Sequence, residues 1–176
     1  MVRRVAWIFM AVLPLLAWAA QDNSERASPH ASVSVDLKGD KISISYGRPY
    51  LKGRKVGDQV APFGEVWRLG ADEATKITVT GKTRIGDSLA LGPGSYALFA
   101  IPAAGKWTVI VNKVADQWGA FSYKQSDDVG RFDVPVKPPA SPVEQFTISL
   151  TKQSDTAATL TFAWGNASVT TTIKTT

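Results

Sequence analysis

The chain has 176 residues, 44% hydrophobic and 20% charged, with no cysteine and a single histidine. With no cysteine there is neither a disulfide framework nor a thiol nucleophile, so the fold must be held by burial, which a chain of this length achieves as one domain. The formal net charge is +5; setting aside Arg3 and Arg4 leaves 18 of the 20 basic residues against 15 acidic, a net +3, and no run of like charges marks nucleic acid or an anionic membrane as partner.

Met1-Val2-Arg3-Arg4 precedes an apolar run from Val5 to Ala19, broken only by Pro14, and then the polar Gln21 to Arg26. A charged start, a short apolar core and small residues at Ala17 and Ala19 predict an export signal over residues 1–19, cleaved after Ala19. The run is shorter than the roughly 20 residues of a spanning helix, so the expectation is a periplasmic or secreted protein with no membrane span after cleavage. Residues 20–30 read as a polar leader and 31–176 as a single domain.

From there the pattern is that of strands. Val33, Val35 and Leu37, then Ile42, Ile44 and Tyr46, alternate with polar residues on either side of Gly39-Asp40 and predict a hairpin. Apolar or alternating segments recur at Ile77 to Val79, Thr83 to Ile85, Leu89 to Leu91, Tyr96 to Ile101 and Trp107 to Val111. They continue around Val134, Phe146, Leu160 and Val169, punctuated by Gly, Pro and Asn turns. Gln153 to Thr156 and Gly165-Asn166 read as hairpin turns, and Pro135 pushes its segment towards a sheet edge because it offers no ladder donor. Nine or ten short strands with no 3.6-residue stripe predict an all-β antiparallel sandwich of jelly-roll or Ig-like type, with a closed β-barrel as the alternative.

The long segment Arg48 to Thr75 interrupts this rhythm and carries five basic and four acidic residues. Loops of this length within compact domains usually bind something or act as a lid. Its arginines suit carboxylate or phosphate recognition and could stack with Trp67; equally, Glu73 could pair with Arg48, Arg54 or Arg68 and serve only to hold the loop. Asp72 and Glu73 are neighbours whose side chains, in extended backbone, point to opposite faces, so a carboxylate pair would join Glu73 to Glu65, Asp58 or Asp116. Beyond the loop, Trp118 with Phe121 and Tyr123 offers an aromatic platform for a sugar, or packing over the end of the sandwich.

Other chemistry finds little support. His30 lies in the leader, and no Gly-x-Ser-x-Gly elbow accompanies it. Zinc and copper sites usually take several His or Cys ligands, and Asp127, Asp128 and Asp133 lack a calcium-loop pattern. Neither cofactor nor metal is expected.

Five stretches are shared with a known family. They are Arg48-Pro49, Lys52-Gly53-Arg54, Val66-Trp67-Arg68 with Gly70-Ala71 and Glu73-Ala74-Thr75, Gly94 to Pro102, and Gln117 to Phe121. On these the chain, from about Ser28 to Lys174, resembles the exported bacterial family known as domain of unknown function 2911. The resemblance implies an exported single β domain, with no established substrate, cofactor or catalytic residue to carry over. Gly47 stands where the family pattern suggests Ser, Phe63 where it suggests Tyr, and Val56-Gly57 where it suggests Ile-Phe-Gly.

Together these readings predict a small-molecule binding module for an anionic or saccharide ligand, with Arg48, Lys52, Trp67, Arg68, Glu73, Trp118 and Tyr123 as its contacts. The alternatives are a His-independent hydrolase using Glu73 with a second carboxylate, and a structural or interaction protein of the cell envelope.

Overall fold

The computed structural model describes residues 26–176; the predicted export signal and the first part of the leader lie outside the described residues. Thirteen strands follow in order: β1 (His30–Leu37), β2 (Asp40–Gly47), β3 (Val56–Gly57), β4 (Val60–Pro62), β5 (Thr75–Val79), β6 (Thr83–Ile85), β7 (Leu89–Leu91), β8 (Gly94–Pro102), β9 (Lys106–Asn112), β10 (Asp128–Lys137), β11 (Val143–Lys152), β12 (Ala157–Gly165) and β13 (Ala167–Thr175). No helix among the described residues is long and apolar enough to cross a membrane. The main sheet runs β1-β2-β5-β8-β9-β10-β13-β12-β11, all antiparallel, with β6 and β7 attached beside β13.

The two ends of that path come back together. Past Gly47 the chain continues alongside β11: Phe146 N–H donates to Pro49 O at 2.9 Å, Leu51 N–H donates to Glu144 O at 2.9 Å, and Tyr50 bridges to Gln145. The Tyr46 hydroxyl adds bonds to both backbone groups of Ile148. The result is one antiparallel sheet nearly closed into a barrel, which satisfies edge groups that an open sheet would leave unpaired; the expected all-β sandwich and its barrel alternative both describe it.

The β1–β2 hairpin turns through Lys38 and Gly39, at φ 51° and 89°, with Asp40 already opposite Leu37. Two consecutive positive φ values are what a two-residue hairpin needs to match strand twist. Pro135 lies where β10 has a partner on one side only, as expected of a residue without a ladder donor. It sits where β10 changes partner, pairing with β9 as far as Pro135 and with β13 from Val136, so its missing N–H falls at the corner where neither ladder is continuous.

The main core is built from the alternating apolar residues of both ends of the sheet, with Trp67, Trp107, Trp164 and Phe146 at its centre. Trp67 stacks on Trp164 at 5.5 Å between ring centroids and meets Trp107 and Phe146 edge-on at 5.7 and 5.0 Å. Each such ring removes about 150–250 Å² from water, worth several kcal/mol. On the opposite face of β8 and β9, Ala74, Ala97, Phe99 and Ile110 form a second small core under Val66, Ala120 and Tyr123. This explains why Tyr96 to Ile101 and Trp107 to Val111 are nearly continuous apolar runs: each strand buries both faces. The cover is supplied by residues 113–127, a strap crossing from β9 to β10.

Candidate functional site

The register of β1 and β2 places His30 directly opposite Gly47. The long loop returns across the same point: a Cβ at Gly47 would lie 2.2 Å from the backbone oxygen of Ala71, so only glycine allows this crossing. Asp72 and Glu73 therefore emerge beside His30. Asp72 has φ 62°, a left-handed backbone that breaks the alternation assumed for neighbouring residues. Instead of facing apart, a carboxylate oxygen of Asp72, one of Glu73 and a ring nitrogen of His30 all lie within 4.8 Å of one another.

Arg26 completes the group. Its Nη1 is 2.9 Å from His30 Nε2, 3.2 Å from Glu73 Oε2 and 3.8 Å from Asp72 Oδ2, while His30 Nε2 is 3.0 Å from Glu73 Oε2 and 3.6 Å from Asp72 Oδ2. Burial pushes the Glu73 carboxyl up, but its own backbone N–H and the neighbouring His30 and Arg26 outweigh this and hold it below the ordinary value. His30 is thus part of a half-buried acid cluster at the start of β1. The reading that made it a leader residue is corrected; so is the pairing of Glu73 with Arg48, Arg54 or Arg68.

The strap brings the aromatic component. Glu73 and Trp118 form an antiparallel bridge in which Ala74 N–H donates to Gln117 O at 2.9 Å and Gly119 N–H donates to Asp72 O at 3.0 Å. Gln117 anchors it from beneath, its buried amide donating to Asn112 Oδ1 at 3.1 Å and Val114 O at 2.7 Å. Trp118 itself stays 60% exposed. Between it and the strands opens a cleft of about 420 Å³ bordered by His30, Ser45, Glu73, Lys76, Asp116 and Trp118, with Lys76 Nζ 2.9 Å from Asp116 Oδ1.

Of the seven residues predicted to make up the site, Glu73 and Trp118 meet at this cleft. The others lie elsewhere. Arg48 is a strut, donating from Nε to Phe146 O at 3.2 Å and from Nη2 to Thr147 Oγ1 at 3.0 Å. Lys52, at φ 49°, sits on an exposed turn whose backbone is held by Glu144. Trp67 is core, its indole N–H donating to Gly70 O at 3.0 Å and its ring packed against Trp107, Phe146 and Trp164. Arg68 lies against the far side of the strap with Ala120 and the exposed Phe121.

Tyr123 packs edge-on to Phe99 at 5.1 Å, donates to Asp128 Oδ2 at 2.8 Å and accepts from Arg131. Burial first, then the bond to the Asp128 carboxylate, raise its pKa above the ordinary phenol value. Nearby, Asp128 accepts from Asn112, Tyr123 and Arg131, Asp127 pairs with Lys113, and Asp133 with Lys106 and Thr108.

Of the other residues at the cleft, Asp116 was a candidate partner for Glu73, His30 and Asp72 were weighed and set aside, and Arg26, Ser45 and Lys76 carried no signal in the sequence. The only local signal was the uniqueness of His30; the rest depends on which strands meet. Fold and cleft define an all-β domain of a nearly closed sheet with an acid–histidine cluster beside a surface tryptophan. Over residues 28–173 the chain matches the family described as "Protein of unknown function (DUF2911)", and it belongs to that family. No curated protein and no solved structure matches it.

Proposed function

We propose that the protein is an exported binding module that takes a small neutral saccharide into the cleft beside Trp118. The observation that carries this reading is a tryptophan held 60% exposed by a backbone bridge to Glu73 rather than packed into the adjacent core. A large aromatic face left in water at the rim of a concave site suits the apolar face of a sugar ring. Carboxylates of Glu73 and Asp116, the Ser45 hydroxyl and the Lys76 ammonium supply acceptors and donors for its hydroxyls. The volume, about 420 Å³, is at the small end of ligand pockets. An anionic ligand fits less well, because Asp72, Glu73 and Asp116 put three carboxylates at the cleft and its mouth against Arg26 and Lys76, both already paired with them, while Arg48 and Arg68 are elsewhere. Export by the predicted signal would bring such a module to the periplasm or the exterior, where saccharides are met.

The hydrolase alternative has one supporting observation, the approach of Asp72 and Glu73 to within 4.8 Å, near the roughly 5 Å separation of retaining glycosidases. Such an enzyme needs one of the pair protonated as general acid. Glu73 is held below its ordinary value, and both carboxylates face Arg26, so binding is the better-supported reading.

Tryptophan fluorescence tests it. Among the described residues Trp118 is the one exposed tryptophan, the other three being buried. Titration with a panel of neutral mono- and disaccharides is expected to give a saturable change in emission that is absent in Trp118→Ala and retained in Arg68→Ala. A panel without response, or a response that survives Trp118→Ala, would contradict the proposal.

A further inference from the structure

His30 Nε2 lies between a donor and an acceptor. Arg26 Nη1 lies 2.9 Å away and Glu73 Oε2 3.0 Å away. A guanidinium nitrogen can only donate and an ionised carboxylate can only accept. If Nε2 presents its lone pair it accepts from Arg26, whose Nη1 also donates to Glu73 Oε2 at 3.2 Å and so bridges the two acceptors. If Nε2 carries a proton it donates to Glu73, and then meets the Arg26 N–H head on. In the lone-pair state one guanidinium holds the imidazole nitrogen and the carboxylate together, the part that a metal ion bound by both would also play.

A cation with no hydrogens would satisfy all three side chains. Zinc binds imidazole nitrogen and carboxylate oxygen at about 2.0–2.2 Å, which in a tetrahedron sets two ligand atoms roughly 3.3–3.6 Å apart. The separations from His30 Nε2 to Glu73 Oε2 and to Asp72 Oδ2 are 3.0 and 3.6 Å, and all three donors lie within 4.8 Å of one another. Charge points the same way: two carboxylates face one guanidinium, leaving a net negative charge that a divalent ion would cancel. The guanidinium nitrogen, close to all three donors, occupies the position such an ion would take.

We infer that His30 Nε2 with one oxygen each of Asp72 and Glu73 forms a three-ligand site for a divalent transition metal of the zinc class, and that Arg26 takes the ion's place in the metal-free protein. Its donors are a nitrogen and two oxygens, a set that suits zinc and its first-row neighbours better than magnesium or calcium. The three ligands come from two places in the chain, the first residue of β1 and the last residues of the long loop, and the Gly47 crossing brings them together. All three are partly exposed, and the ion is reached from the cleft, which His30 and Glu73 both line. A fourth position is left to water or ligand, as in open zinc sites. This site does not depend on the saccharide reading.

The test is calorimetric titration of the full chain, stripped of metal by chelator, with zinc chloride alone. One zinc per chain is expected, together with a rise in melting temperature. His30→Gln and Glu73→Gln are expected to weaken binding by at least about tenfold, and Arg26→Ala to strengthen it several-fold by removing the competitor. Asp72→Asn serves as a further ligand variant, since Asn tolerates the positive φ at that position, and thermal melts show that each variant is folded. Absence of saturable zinc uptake, uptake unchanged in a folded His30→Gln or Asp72→Asn, or an Arg26→Ala chain with affinity no higher than the parent would overturn the inference.

Discussion

Gly47 is the residue on which the cleft most directly depends. It is the cross-strand partner of His30 and lies under the backbone of Ala71, so one missing side chain lets two distant segments touch. Its lack of a hydroxyl, which set it apart from the family pattern, is here a steric requirement: a Cβ 2.2 Å from a backbone oxygen cannot be relieved by a rotamer change. Gly47→Ser is therefore expected to destabilise the fold by about 1–3 kcal/mol, as overpacking typically does, and to draw Asp72 and Glu73 away from His30. Urea unfolding of the variant measures the first effect, and a wild-type midpoint would refute it. Trp67 and Trp118 show the limits of reading single residues. Both are tryptophans close to glycine in loops, yet one lies at the centre of the core and the other at its rim. That difference comes from how the sheet closes, which neither neighbourhood encodes.

At the level of elements, the strands were legible from their apolar patterns, the hairpin of β1 and β2 from alternation and β8 and β9 from nearly continuous runs, and the turns at 153–156 and 165–166 from their turn residues. The loop's chemistry was not. Its arginines looked like ligand contacts, but Arg48 and Arg54 spend their donors on backbone oxygens of β11 and of the loop itself, satisfying groups that an irregular segment would otherwise leave unpaired. Asp72 escaped because its positive φ reverses the alternation rule, and His30 because its two carboxylate partners arrive from more than 40 residues away.

The strap over residues 113–127 makes a separate prediction through Tyr123. Its raised pKa means that the folded state holds the phenolic proton more tightly than the unfolded chain does. The associated stability is complete below about pH 10, the unfolded value, and is lost as pH rises through the folded value. Tyr123→Phe removes the hydroxyl and is expected to lower stability at pH 8 while flattening its decline above pH 10. Denaturant unfolding at pH 8, 10 and 11 measures both, and a variant that tracked the parent at every pH would contradict the role given to the Asp128–Tyr123–Arg131 network.

At the scale of the whole molecule, the near-closure of the sheet and the second core on the outer face of β8 and β9 serve a common end. Closure carries the loop from β2 to β11 and back over Gly47; the outer core anchors the strap, and the bridge between Glu73 and Trp118 joins loop to strap. The functional claim concerns that junction rather than the arginine-rich stretch that draws attention in the sequence. The most direct test is a chemical-shift titration of isotope-labelled protein with neutral disaccharides, following backbone amides and the Trp118 indole. The account predicts saturable shifts confined to His30, Ser45, Glu73, Lys76, Asp116 and Trp118. Shifts centred on Arg48, Lys52 and Arg68, or no saturable shift at all, would contradict it.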